Sequence, residues 1–172
     1  DLSKGFTQKF SGHDGDFRRY DTGRIQTLKR IADEMWAVSP GSYVILEHFA
    51  EDREERELAN YGMMLWGNMN TPYSQSAMGY LTDNSRRADL SGGYFGQGGR
   101  GWEKPHLVTY MESHDEPWLM YKNLQFGRAE GNYNVKDLRT ALDRIKLAAA
   151  FFVTIPGPKM LWQFGELGYD QE

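Results

Sequence analysis

Four short apolar runs, each set off from the next by a segment of helical period, limit the folds open to this chain. The first is Tyr43-Val44-Ile45-Leu46, which follows Pro40-Gly41 and runs straight into Glu47-His48-Phe49. Met63-Met64-Leu65-Trp66 ends at Gly67-Asn68. Leu107 to Glu112 runs into Ser113-His114-Asp115. Lys159-Met160-Leu161-Trp162-Gln163 follows Pro156-Gly157-Pro158. Continuous apolar runs bounded by turn residues are expected to be strands buried on both faces, the kind found in parallel sheets.

Helical segments lie between them. Asp21-Thr22 offers a cap, and Ile25, Leu28, Ile31, Ala32, Met35 and Trp36 follow at steps of three and four, which is one helical face. Residues 51–60 carry charges of both signs and predict a short, solvated helix. Thr71-Pro72 opens a further helix to about Leu81, with Thr71 as cap and Pro72 in the first turn. Residues 135–153 form the longest helical segment, with Leu138, Leu142, Ile145, Ala149 and Phe152 on one face. Residues 1–19, 82–104 and 116–134 are expected as loops. The Gly-rich 82–104 stretch is no phosphate cradle: it lacks the Gly-Lys-Ser/Thr ending and leads into a strand. Helix and strand in alternation imply an α/β fold of parallel strands joined by right-handed crossovers. A small doubly wound sheet and part of a βα barrel both satisfy that order.

Length and charge narrow the function classes. The 172 residues suffice for one ordinary core, and 40% hydrophobic with 26% charged residues describes a globular chain. A net charge of −4 gives no nucleic-acid surface, and no apolar run approaches the roughly 20 residues that span a membrane. Cysteine is absent, which removes disulfides and thiolate metal sites and says little about compartment. The 10 Tyr and 5 Trp are numerous, and those within 66–102 and 117–121 are candidate platforms for the apolar faces of sugar rings.

The candidate chemistry lies where parallel strands end, since ligands of such sheets bind at the carboxyl ends of the strands. Polar residues expected there are Glu47, His48, Asn68, His114, Asp115, Gln163 and Glu166, joined by Asp1 if a strand lies just upstream. Carboxylates delivered to one rim by different strands suit glycosidic hydrolysis: one donates a proton to the leaving oxygen and one attacks the anomeric carbon. A rival takes His48, His106, His114 and Asp115 as metal ligands. No HxxxH or HExxH spacing supports it, and neighbours such as His114 and Asp115 on a strand point to opposite faces. A Ser-His-Asp hydrolase would need a Gly-x-Ser-x-Gly turn, which the chain lacks.

These residues resemble the motifs of the α-amylase superfamily, glycoside hydrolase family 13. Asp1-Leu2-Ser3-Lys4 is similar to the second half of its strand-four region, Glu47 to the acid at the end of strand five, Tyr110 to Asp115 to the Phe-x-x-x-His-Asp region of strand seven, and Pro156 to Gly168 to the strand-eight segment ending Gly-x-Glu-x-Gly. The resemblance implies a partial (β/α)8 TIM barrel, strands five to eight with their helices, as a single incomplete catalytic segment over residues 1–172. It implies a retaining α-glucan hydrolase with Asp1 as nucleophile, Glu47 as acid/base and Asp115 as transition-state stabiliser. Lys4, His114 and His48 are then the substrate-contacting candidates.

The expected partners are an α-glucan or malto-oligosaccharide and the missing amino-terminal part of the barrel, with no nucleic acid and no membrane. The chain alone is expected to be inactive. Alternatives are a transglycosylase such as a branching enzyme, or a non-catalytic glucan-binding remnant. Calcium is common in this family, but its usual ligands lie largely in regions this chain does not contain. The family's Arg two residues before the nucleophile has no counterpart here, Gly5 stands where many members have His, and Ser113 replaces a common Asn.

Overall fold

A computed structural model describes residues 2–7, 9, 12–81, 87–97 and 100–171. The fold is mixed α/β. Its elements run α1 (Thr22–Val38), β1 (Ile45–Leu46), α2 (Asp52–Tyr61), β2 (Met64–Asn68), α3 (Asn70–Met78), β3 (Leu107–Tyr110), α4 (Leu119–Phe126), a hairpin of β4 (Ala129–Glu130) and β5 (Tyr133–Asn134), α5 (Leu138–Thr154) and β6 (Lys159–Met160). Four strands form a parallel sheet in the order β1-β2-β3-β6. Ile45 pairs with Met64 in one register, and Thr109 pairs with Lys159 in another. The order follows the chain without reversal. A doubly wound sheet needs a reversal, and the described strands contain none. No helix among the described residues is long and apolar enough to cross a membrane.

The chain divides into two compact units, residues 1–66 with 95–108 and residues 67–94 with 109–172. In the first, the predicted face of α1 supplies Ile25, Leu28 and Ala32 to a core completed by Val44, Leu58, Ala59, Met63, Leu65, Trp102 and Leu107. Asp21 caps α1 as expected, accepting from the N–H groups of Gly23 and Arg24 at 3.0 and 3.4 Å. Ile31 and Met35 of the predicted stripe lie at its exposed margin.

Two expectations fail in this unit. Strand β1 is two residues long and alternates, with Tyr43 74% and Ile45 47% exposed and Val44 buried, because it stands at the end of the strand order with one neighbour. The charged helix α2 is not solvated all round: Glu54 and Glu55 are buried. They precede Leu58 and Ala59 by four residues, so helical geometry puts them on the apolar face.

In the second unit, Tyr73 of α3 meets Phe152 of α5 edge to face at 5.6 Å within a core of Met69, Ala77, Met111, Leu119 and Ala148. Helix α3 begins at Asn70, ahead of the predicted Thr71 cap, and the Asn68 side chain accepts the Asn70 N–H at 2.9 Å. The stretch 116–134, expected as loop, contains α4 and the β4–β5 hairpin. The carboxylate of Glu112 accepts the Leu119 N–H at 2.7 Å, so an acid sits at the positive end of α4. The predicted loop 82–104 has a short 3-10 turn at Leu90–Gly93 among its described residues.

Candidate active site

Glu47 and His48 follow β1 in the first unit, and His114 and Asp115 follow β3 in the second. Asp1 lies outside the described residues. Its chain neighbours do not: the Leu2 N–H donates to Glu47 Oε2 at 3.2 Å, the Ser3 N–H to the Glu47 carbonyl at 2.7 Å, and Ser3 Oγ to the same carbonyl at 2.9 Å. Three bonds therefore tie the Asp-x-x-Lys segment to the end of β1, across 44 and 45 residues of sequence. Leu2 holds φ 38°, and Phe49, two residues past Glu47, holds φ 54°. Left-handed backbone at non-glycine residues costs on the order of 1–3 kcal/mol each and concentrates at functional sites. Glu47 is 4% exposed. The Lys4 ammonium sits 5.7 Å from the centre of the Phe49 ring.

Behind Glu47 lies a buried ionic network that was not anticipated. Arg24 and Glu54 form a two-point pair, Nε to Oε1 at 2.6 Å and Nη2 to Oε2 at 2.7 Å, with both side chains 0% exposed. Arg24 donates further to the carbonyls of Lys4, Phe17 and Arg19, each at 2.9 Å. Burial pushes the Glu54 carboxyl up, but bonds from His48, Arg24 and the Asp21 N–H outweigh it and leave Glu54 below the usual carboxylate range. His48 Nε2 lies 2.8 Å from Glu54 Oε1, and His48 Nδ1 lies 2.9 Å from Ser3 Oγ. Burial depresses His48 against the pull of Glu54. A neutral His48 keeps its proton on Nε2 for Glu54, so Nδ1 and the Glu47 carbonyl are two acceptors that share the single Ser3 hydroxyl proton.

The contacts have the residue types of a Ser-His-Glu hydrolase, yet Ser3 and His48 are 4% and 0% exposed and the chain stays closed to a substrate. A contact from His48 to a sugar would require breaking one of its two bonds, so His48 supports the site from within. His106 is likewise occupied, with Nδ1 2.9 and 3.0 Å from the carbonyls of Ala59 and Met63.

In the second unit, β3 ends before Ser113-His114-Asp115, and His114 and Asp115 do not point apart. His114 Nε2 lies 3.4 Å from Asp115 Oδ1, because the chain has left the strand for a bend. Asp115 is largely exposed. With Ser113, Glu116, Pro117, Trp118 and Trp162, the pair lines a cavity of about 380 Å3. The Trp162 ring stands 6.0 Å from His114, and Trp118 packs edge to face on Tyr169 at 5.0 Å, so the segments after β3 and β6 close on each other. Glu116 is fixed by short bonds from Asn68 and Ser113. Burial raises Glu112 above the usual carboxylate range against the bond from Leu119.

Calcium takes six to eight oxygen ligands. Among the described residues of either unit taken alone, no three Asp, Glu or His side chains offer ligand atoms within 4.8 Å of one another. No family model matches the chain, and no curated protein matches it.

Proposed function

We propose that this chain carries the strand-five to strand-eight part of a (β/α)8 barrel of the α-amylase type, and with it the catalytic residues of a retaining α-glucan hydrolase. The observation that carries the reading is the attachment of Leu2 and Ser3 to Glu47, since a nucleophile and an acid/base must stand together at one rim. The unreversed strand order supports the barrel, in which each crossover steps the same way around. The cavity holding His114 and Asp115 between two tryptophans supports a sugar ligand.

In the reaction, the Glu47 carboxyl gives its proton to the glycosidic oxygen while an Asp1 carboxylate oxygen bonds the anomeric carbon and the C–O bond to the leaving sugar breaks. Glu47, now ionised, takes a proton from water, whose oxygen displaces Asp1 and restores both acids. Asp115 carries negative charge toward the oxocarbenium-like transition state, and Lys4 and His114 donate to sugar hydroxyls. A retaining pair needs its carboxyls about 5–5.5 Å apart.

The test is turnover of maltoheptaose by the full-length protein with NMR of the first product. The α-anomer is expected, and Glu47→Gln is expected to abolish turnover while malto-oligosaccharide binding persists. An initial β-anomer, or unchanged turnover in Glu47→Gln, would overturn the assignment.

A further inference from the structure

A second cavity in the unit of residues 67–94 and 109–172 collects aromatic residues that the catalytic assignment leaves unused. It measures about 580 Å3, within the range of about 300–1,000 Å3 for ligand sites. Tyr80, Tyr121 and Phe126 supply rings, and Thr71, Gln75 and Lys122 supply polar groups. Tyr121 and Phe126 stand edge to face at 6.3 Å, and the Tyr80 hydroxyl donates to the Phe126 carbonyl at 2.9 Å, so the three rings hold one another in place. Tyr80 and Phe126 are 40% and 57% exposed.

The floor is polar and built. Lys122 Nζ donates to Asn70 Oδ1 at 2.5 Å and to Ser74 Oγ at 3.2 Å, and both acceptor residues are buried. Asn70 in turn donates to the Met111 carbonyl at 2.7 Å, just before the segment that bears His114 and Asp115.

The chemistry of the lining selects the ligand. Lys122 is the one Lys or Arg among the lining residues, and the carboxylates of Glu112 and Glu116 act on it. Burial, its largest influence, disfavours its charge. Its ammonium is already bonded to Asn70 and Ser74, so the one cation of the lining is engaged by the cavity's own floor. Exposed aromatic faces beside amide, hydroxyl and ammonium donors suit a neutral ligand with apolar C–H faces and peripheral hydroxyls. We infer that this cavity is a second carbohydrate site, which holds glucose units of an α-glucan chain away from the bond being cleaved. The choice of α-glucan rests on the proposed function.

Calorimetric titration of the full-length protein with maltoheptaose tests it, using Glu47→Gln as the background in which no substrate is consumed. Two sites per chain are expected. Tyr121→Ala is expected to weaken one of them about tenfold, the change that about 1.4 kcal/mol of lost contact produces. Gln75→Ala should weaken the same site. It removes no aromatic packing, so it serves if Tyr121→Ala melts early. Turnover of maltotriose should be unchanged in Gln75→Ala. Catalysis with one binding event, unaltered by either substitution, overturns the second site and leaves the hydrolase reading standing. Binding that either substitution weakens, without turnover in the unsubstituted protein, overturns the hydrolase reading and leaves the site. No binding and no turnover overturns both.

Discussion

Ser3 holds Glu47 by its main-chain carbonyl, with the Ser3 N–H at 2.7 Å and the Ser3 hydroxyl at 2.9 Å from the same oxygen. That hydroxyl also faces His48 Nδ1, so one side chain joins the strand-exit acid to the buried Arg24–Glu54 pair. Ser3→Ala leaves the Glu47 carbonyl one donor and leaves His48 Nδ1 bare inside the protein. A buried polar atom without a partner costs about 1–3 kcal/mol. Urea unfolding of Ser3→Ala should show a loss in that range. Ser3→Thr, which restores the hydroxyl, should recover part of it, and equal losses in the two variants would show that the hydroxyl is not what matters.

The Arg24–Glu54 pair makes a sharper test, because removing one partner strands the other charge. Arg24→Met should destabilise by about 3–5 kcal/mol, the usual result of leaving a buried ion unpaired. It also frees the carbonyls of Lys4, Phe17 and Arg19. Adding Glu54→Gln removes the stranded charge, so the double variant should be more stable than Arg24→Met alone. A double variant whose loss equals the two single losses added together would contradict direct coupling, and thermal or denaturant melts of the three proteins decide it.

This network also shows what the sequence could and could not reveal. Helix α1 and its Asp21 cap were legible, because a helical face and its first cap are local patterns. β2 and β3 were legible as strands for the same reason, but β2 runs past the predicted Trp66 to Asn68 and β3 stops at Tyr110, short of the predicted Glu112. Glu54 and Glu55 were misassigned because a charge run suggests solvent, and their partners are fixed by tertiary contact: Arg24 lies 30 residues away from Glu54. The four-residue step to Leu58 and Ala59 was the available signal. Ile45 was misassigned because apolar content does not say whether a strand has one neighbour or two. The contact of His114 with Asp115 was hidden because alternation holds only while the strand continues. Helix α4 was missed within a stretch rich in Gly, Asn and Glu, although Leu119, Met120 and Asn123 make its buried face.

Gly165 should tolerate no side chain. A Cβ there would collide with Glu112 Oε2, and Glu112 cannot swing away freely because its other oxygen holds the Leu119 N–H at 2.7 Å. Gly165→Ala should therefore destabilise by about 1–3 kcal/mol, as overpacking of a filled site does. Gly165→Ala combined with Glu112→Ala should be less damaging than the separate losses predict. Additivity in thermal melts would mean that the two residues do not meet.

Glu55 should make stability fall as pH rises. It is 5% exposed with Oε1 lacking a partner among the described residues, and burial lifts its carboxyl from the ordinary 4.5 to about 7, against the pull of Arg100. Between those values the folded protein binds a proton that the unfolded chain has lost, so stability declines from about pH 4.5 upward and levels off above about pH 7. At about 1.36 kcal/mol per pH unit, the full decline is about 3 kcal/mol. His48 and Glu54 act the other way, since both are held below their ordinary values and their contribution fades as pH falls. Subtracting the unfolding free energy of Glu55→Gln from that of the unsubstituted protein at each pH isolates Glu55. The difference should move against the unsubstituted protein across pH 5 to 7, leaving Glu55→Gln the more stable at pH 8. A flat difference would mean that Glu55 stays ionised in the fold.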